Sequence, residues 1–530
     1  MTKFGEGSIR SLLREKGGLF MTKRFVCIGM VVCILLSLCS CKKAPNNIVN
    51  ENPEEDISFI SVMLGEKSIE EWNENNVTLN VSWDKLKLSE DDEKKFPELK
   101  KAFDKLNNEA LKDAKALMYE LSGAAKDLEG DEYNPLYLEG ESKVYLQRAD
   151  TKIISYVEYV FVHSGGVHPD YHYITTNFNP ETGEKLILTD VMKSLKGLPD
   201  ILEGELNSKY DYLNFGENQL WTIFNEYSPE DYNWTLDYQG ITFWFSPNDI
   251  AAYAAGPLSV KIYFDEQPYI FNEEYTKAPS ENFCLMLPMR QKIDFDLNGN
   301  DEEKDYIEID TSLDQYGSYN MLSVTVNGKT YTDEINYAYD FDVYLAHIGD
   351  KNYIYSDSFS DNDYHMFCTW DINGDTPKMT QELYGTEVDY EYIEEGFEDG
   401  TVYKQAFNNP EFLRLETRFE ILGTRGATAT YKLSETDGKP EMTDKAYTFN
   451  YGHDVKTAIP LDAELLPEME KTELPIGTSL TPYQTDGKSF VDLKTENGSV
   501  VRLNIDVSDW PLKVNGIPED ECFEELLYAG

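Results

Sequence analysis

Apolar and polar positions alternate over short stretches along most of this chain, and that alternation predicts strands. Val77, Leu79, Val81 and Trp83 mark a strand with one buried face. Phe96-Pro97 then opens a helix, with the proline at a tolerated first-turn position. Its apolar side is Leu99, Phe103, Leu106, Ala110, Leu117 and Leu121, with Lys, Asp and Glu elsewhere, and Gly130 closes the segment. Strand patterns follow at 142–149, 152–162 and 171–178, so one helix is expected beside a mostly antiparallel sheet. A short amphipathic helix at 198–210 precedes two aromatic strands within 234–245, joined at Gln239-Gly240, and a further strand at 258–264.

Periodicity fades at 266–280, which marks a domain boundary. From Phe283 onward short strands are separated by turns such as Asn298-Gly299, Asn327-Gly328, Asp437-Gly438 and Asn497-Gly498. The only later helix signal is at 520–527. The expected fold is therefore an α+β N-terminal module, an antiparallel sheet with a packed helix, followed by an all-β region for which a propeller-like form is open. The expected units are domains at 57–175 and 176–270, a β-rich domain at 283–470 and a small terminal β unit at 471–530.

The N-terminus changes the picture. Lys23 and Arg24 precede an apolar run from Phe25 to Leu38, shorter than the ~20 residues a spanning helix needs. The run ends in Leu38-Cys39-Ser40-Cys41, which is similar to a lipobox, with Leu at −3, a small residue at −1 and Cys41 as the acceptor of the lipid. Met21 is the expected start, residues 1–41 the signal region and 42–56 a polar tether. The protein is thus expected to be palmitate-bearing, lipid-anchored and on the extracytoplasmic face of the cell membrane. Cysteine use fits this compartment. Four of the seven lie in the signal, and Cys284, Cys368 and Cys522 allow at most one disulfide.

Charge narrows the partners. Residues 1–40 hold six basic and two acidic side chains, so the −50 of the whole chain becomes −54 beyond them. Such a field excludes nucleic acid and attracts cationic partners and divalent ions. The 36 Tyr, 26 Phe and 7 Trp argue for a β-rich globular protein.

Two blocks carry a family resemblance. The first is His163-Ser-Gly-Gly-Val-His168-Pro-Asp-Tyr-His172, with Asn177-Phe-Asn179, Glu181-Thr-Gly-Glu-Lys185 and Leu188-Thr-Asp190. The second runs from Trp234 to Phe245, then Ser246-Pro-Asn248 and Tyr253-Ala-Ala-Gly-Pro257. Together they resemble the extracytoplasmic domain family of RsiV-type anti-sigma factors, which also supplies the non-catalytic module of PdaC-type peptidoglycan deacetylases. The resemblance spans roughly residues 56–270 and implies an α+β fold that binds an extracellular ligand. In the RsiV-type member that ligand is lysozyme, a cationic protein. The deacetylase motifs of PdaC-type proteins are not present. The C-terminal half loosely resembles propeller-like extensions of clostridial-type lipoproteins.

Two constellations could carry chemistry. His163, His168 and His172 are three of six histidines, and imidazoles this close in sequence can share a zinc ion with an open position for water. Gly165, Gly166 and Pro169, however, place them on a turn between strands. The second is Asp294-Phe-Asp296-Leu-Asn298-Gly299-Asn300, ending at Asp305. The D-x-D-x-N-G spacing offers oxygens for calcium and a glycine for the tight turn. Strands rather than EF-hand helices flank it, so it resembles the calcium loops of FG-GAP-type repeats; an acidic β-turn is the alternative. Residues 371–375 read as a turn only. No phosphate loop, nucleophile elbow or H-E-x-x-H is present.

The expected role is non-catalytic binding or sensing at the cell envelope, with a lysozyme-like cationic protein or cell-wall glycan as ligand. The alternatives are an envelope hydrolase or deacetylase using the histidine cluster, and a calcium-stabilised structural or adhesion protein.

Overall fold

Strands β1 (Val62–Trp72) and β2 (Val77–Leu88) pair antiparallel, with Glu66 opposite Asp84. The chain then enters the helix Pro97–Ala124, which buries Leu99, Phe103, Ala114, Met118 and Leu121. It returns as β3 (Leu136–Ala149), parallel to β2, so the helix is the crossover that a parallel pair requires. Gly140 lets this helix approach, because a Cβ there would lie 2.3 Å from Leu117. Strands β4 (Ile154–His163) and β5 (Asp170–Phe178) complete this part of the sheet antiparallel. The computed structural model describes residues 57–529 except 217, 300–303, 314–318, 361–363, 396–397 and 451–452. The signal with Cys41, the Met21 start, the 42–56 tether and Asn300 lie outside the described residues.

Helices Leu198–Lys209 and Gln219–Glu226 and the antiparallel strands β6 (Trp234–Leu236), β7 (Gly240–Phe245) and β8 (Leu258–Tyr263) share a second core, from Ile153 to Tyr275. This module is fastened to the first sheet by buried polar groups. Arg148 is fully buried, 2.7 Å from Asp150, and donates to the carbonyls of Asp237, Tyr275 and Lys277.

Downstream, β9 (Phe283–Met286) joins a five-stranded sheet with strands introduced later. Strands β10 (Ile293–Asp294), β11 (Tyr306–Leu313), β12 (Tyr319–Val326) and β13 (Lys329–Ala338) form a four-stranded sheet of their own. The five-stranded sheet is completed by β14 (Asp340–Ile348), β15 (Lys351–Ser360), β16 (Tyr364–Asp371) and β17 (Lys378–Tyr384). Next come β18 (Thr386–Val388), β19 (Tyr390–Glu395) and β20 (Glu398–Ala406). The last large sheet holds β18, β21 (Leu413–Glu420), β22 (Thr424–Leu433) and the short strands from Pro440 to Glu524.

The domain boundaries fall elsewhere than the periodicity implies. Strand β20 pairs with β1, and β19 with β20, so the first sheet has seven strands and draws two from beyond residue 283. One hydrophobic core accordingly runs from Ile60 to Leu433. The terminal core begins at Ile421, and the sheet around it crosses residue 471. Backbone amides and carbonyls make these pairings, and they leave no trace in side-chain patterning. The molecule is mostly β with an N-terminal sheet and helix. Among the described residues the strands form five separate sheets, and neither a propeller nor a closed barrel is found. The 520–527 helix is a single turn, Glu519–Cys522, because Phe523 pairs with Thr457 as strand. Among the described residues no helix is long and apolar enough to cross a membrane.

Candidate functional site

Side chains alternate across a strand, so the first sheet has one face for the helix and one for something else. On the face away from the helix, β1 presents Glu66, β2 presents Asp84, and β3 presents Glu141 and Lys143. These line a cleft of about 880 Å³. Its other walls carry Asp340 and Asp342 from β14, Asp357 from β15, Glu387 from β18 and Glu416 from β21. Strand β20 adds Lys404, placed opposite Leu64 by the β1–β20 pairing. Eight carboxylates therefore face two lysines and two arginines, Arg418 and Arg425.

The two lysines show how the walls hold an ammonium group. Lys143 Nζ lies 2.8 Å from Asp340 and 3.2 Å from Asp342. Lys404 Nζ lies 3.2 Å from Asp357 and 3.4 Å from Glu387, which also has His365 Nδ1 at 3.1 Å. Burial works against both lysines, but the surrounding carboxylates outweigh it and raise their pKa values. Burial likewise works against ionised Asp340, yet Lys143 outweighs it and holds this carboxyl below its ordinary value.

The other carboxylates show the opposite strain. Burial, aided by Asp340 and Glu141, pushes Glu66 to about 7. Burial with Asp357 and Glu416 takes Glu387 to about 8 despite Lys404, and burial with Asp389 takes Glu416 to about 7. Asp84 and Glu141 are raised by the same cause, even though Asp84 accepts a 2.6 Å hydrogen bond from the Val144 amide. Glu66 and Glu141 keep accessible surface, but it opens into the cleft, where the surrounding protein limits solvation. A site that resists its own negative charge in this way gains stability from an added cation.

The sequence-predicted residues lie elsewhere. His163 and His172 point to opposite faces of the first sheet: Phe161 pairs with Tyr171, while Val160 pairs with His172. Each finds its own partner. His163 Nδ1 lies 3.4 Å from the Tyr137 carbonyl, His172 Nε2 lies 3.2 Å from Asp170, and the exposed His168 ring is 5.9 Å from Tyr253. The expected three-histidine cluster is therefore not assembled.

The candidate calcium loop is a cross-braced turn. Asp294 turns away to Lys209, 2.9 Å distant. Asp296 caps the amides of Asn298 and Gly299. Asp305 accepts from the Leu297 amide and from the side chains of Asn298 and Asn327. No group of three His, Cys, Asp or Glu suited to a metal ion occurs among the described residues. At 371–375, Asp371 caps Asn373 in the turn expected there. Cys284, Cys368 and Cys522 are buried, free thiols.

The cleft carboxylates were hidden in the sequence by number, since 97 acidic residues offer countless pairs. Their one local signal is a charged residue within a strand buried on both faces, as with Asp357 in β15.

Residues 185–265, which hold β6 to β8, match the family described as "Protein of unknown function (DUF3298)". Two solved structures are similar to parts of the chain. A member of that family from Bacteroides fragilis is 17% identical with a TM-score of 0.31, over 41% of this chain and 97% of its own. A protein of that family from Pseudomonas aeruginosa is 15% identical with a TM-score of 0.29, over the same shares. No curated protein matches the sequence.

Proposed function

We propose that this is a lipid-anchored binding or sensing protein of the extracytoplasmic envelope, non-catalytic, whose cleft receives the cationic groups of its ligand. The observation that carries the reading is the excess of carboxylates over cations in one cleft, several of them driven toward neutrality. The RsiV-like blocks, the Cys41 lipobox and the −54 net charge beyond residue 40 support the same role. A lysozyme-like protein or cell-wall glycan bearing ammonium groups has the required chemistry. Calorimetry of the full-length chain with lysozyme and with peptidoglycan fragments tests it. The expected result is micromolar or tighter binding that weakens with salt. No heat at low salt, or heat indifferent to salt, contradicts it.

One observation favours a hydrolytic alternative: Glu66 is raised while Asp340 is held low, the division a general acid and a base require. That alternative predicts turnover of envelope glycans that disappears in Glu66→Gln.

A further inference from the structure

Beside the cleft, on the same face of the first sheet, lies a strip of aromatic rings. The strand register makes it continuous: Glu141 and Lys143 are the cross-strand neighbours of Phe161 and Tyr159, which pair in turn with Tyr171 and Tyr173. Tyr159 lies 6.1 Å from Tyr171, ring to ring, and Tyr171 lies 5.7 Å from Tyr253 of the second module. His168 extends the row 5.9 Å further. Tyr159, Phe161, Tyr171 and Tyr253 are only partly buried, unlike Tyr173, which is covered by Trp244 at 5.3 Å. Glu141 belongs to both features, because it lines the cleft and its charge acts on Tyr159.

We infer that the ligand is an amino-sugar polymer, a linear glycan with free ammonium groups, whose rings lie along this strip while its ammonium groups enter the cleft. This rests on the reading of the cleft as a cation site. Aromatic rings with polar edges suit sugars, which offer an apolar face and a hydroxyl rim. At about 880 Å³ the cleft has the size of a small-molecule site and admits a single chain, whereas a folded protein could offer it only isolated side chains. A linear chain can occupy strip and cleft together. Amino groups, unlike their acetylated forms, match the cleft's charge.

Calorimetry of the full-length protein with three probes tests this: a glucosamine pentamer, the N-acetylated pentamer and trilysine. The glucosamine pentamer is expected to bind at least tenfold tighter than either of the others. Tyr171→Ala is expected to weaken it about tenfold and leave trilysine unchanged. Tyr253→Ala, outside the sheet, is expected to do the same if Tyr171→Ala fails to fold. Equal binding of trilysine and the glucosamine pentamer, unaltered in both variants, overturns the inference and leaves the cation site standing. Equal binding of the two pentamers overturns the role of the ammonium groups. No heat from either cationic probe overturns the cation site itself.

Discussion

Glu387 concentrates the electrostatics of the cleft in one residue. Lys404 and His365 approach it, Asp357 and Glu416 oppose it, and burial leaves its pKa at about 8 against an ordinary 4.5. Between those values the folded chain holds a proton that the unfolded chain has released. Stability is then fully present below about pH 4.5 and declines as pH rises through 8. Glu66 and Glu416 act in the same direction up to about 7. The melting temperature should therefore fall between pH 5 and 8, and Glu387→Gln should flatten that fall. A melting temperature that rises over this range, or a variant that tracks the parent, contradicts the assignment. Asp305 gives a second prediction at this scale. Asp305→Ala leaves three donors without their acceptor, which should cost about 1–3 kcal/mol in urea unfolding. Because those oxygens already brace the turn, millimolar calcium should leave the parent's melting temperature unchanged; a clear rise would restore the calcium loop.

At the scale of elements, the second module hangs on the first sheet through Arg148. Its guanidinium pairs with Asp150, lies 5.1 Å from the Tyr238 ring and ends three carbonyls of the second module. Arg148→Met leaves the fully buried Asp150 carboxylate with its amide donors but without its guanidinium partner, and should cost about 3–5 kcal/mol. Hydrogen exchange should then quicken at 234–263 more than in the terminal sheet; uniform exchange would mean that Arg148 is not the fastening. The elements themselves were legible. The Pro97–Ala124 helix and β2 follow from apolar spacing, because each buries a stripe or a face, while β3 to β5 and the hairpin β6–β7 follow from runs rich in apolar and aromatic residues, the hairpin being buried throughout. Arg148 was not legible, since a charged residue near a strand end reads as solvent-facing. Nor was the addition of β19 and β20 to the edge of β1, which joins residues more than 300 apart through backbone groups.

At the scale of the whole molecule, the cleft exists because that long-range pairing folds the C-terminal half back onto the N-terminal sheet. Glu66, Asp84 and Glu141 come from one half of the chain, while Asp340, Asp357, Glu387 and Glu416 come from the other. No local motif could announce such a site, and the motifs that do stand out locally lie apart from it: His163 and His172 sit on β4 and β5 with separate partners, and Asp305 of the acidic loop holds the side chain of Asn298. The acidity of the chain pointed to a cationic partner without saying where it would bind. The most direct measurement compares the parent with Glu66→Gln/Glu141→Gln, full length, in salt-dependent calorimetry against cationic ligands. Neither carboxylate has a lysine within ion-pair distance among the described contacts, so the pair can be neutralised while Lys143 and Lys404 keep their partners. The predicted result is at least tenfold weaker binding with a shallower salt dependence and an unchanged or higher melting temperature; binding equal to the parent's at every salt concentration would contradict the cleft as the site.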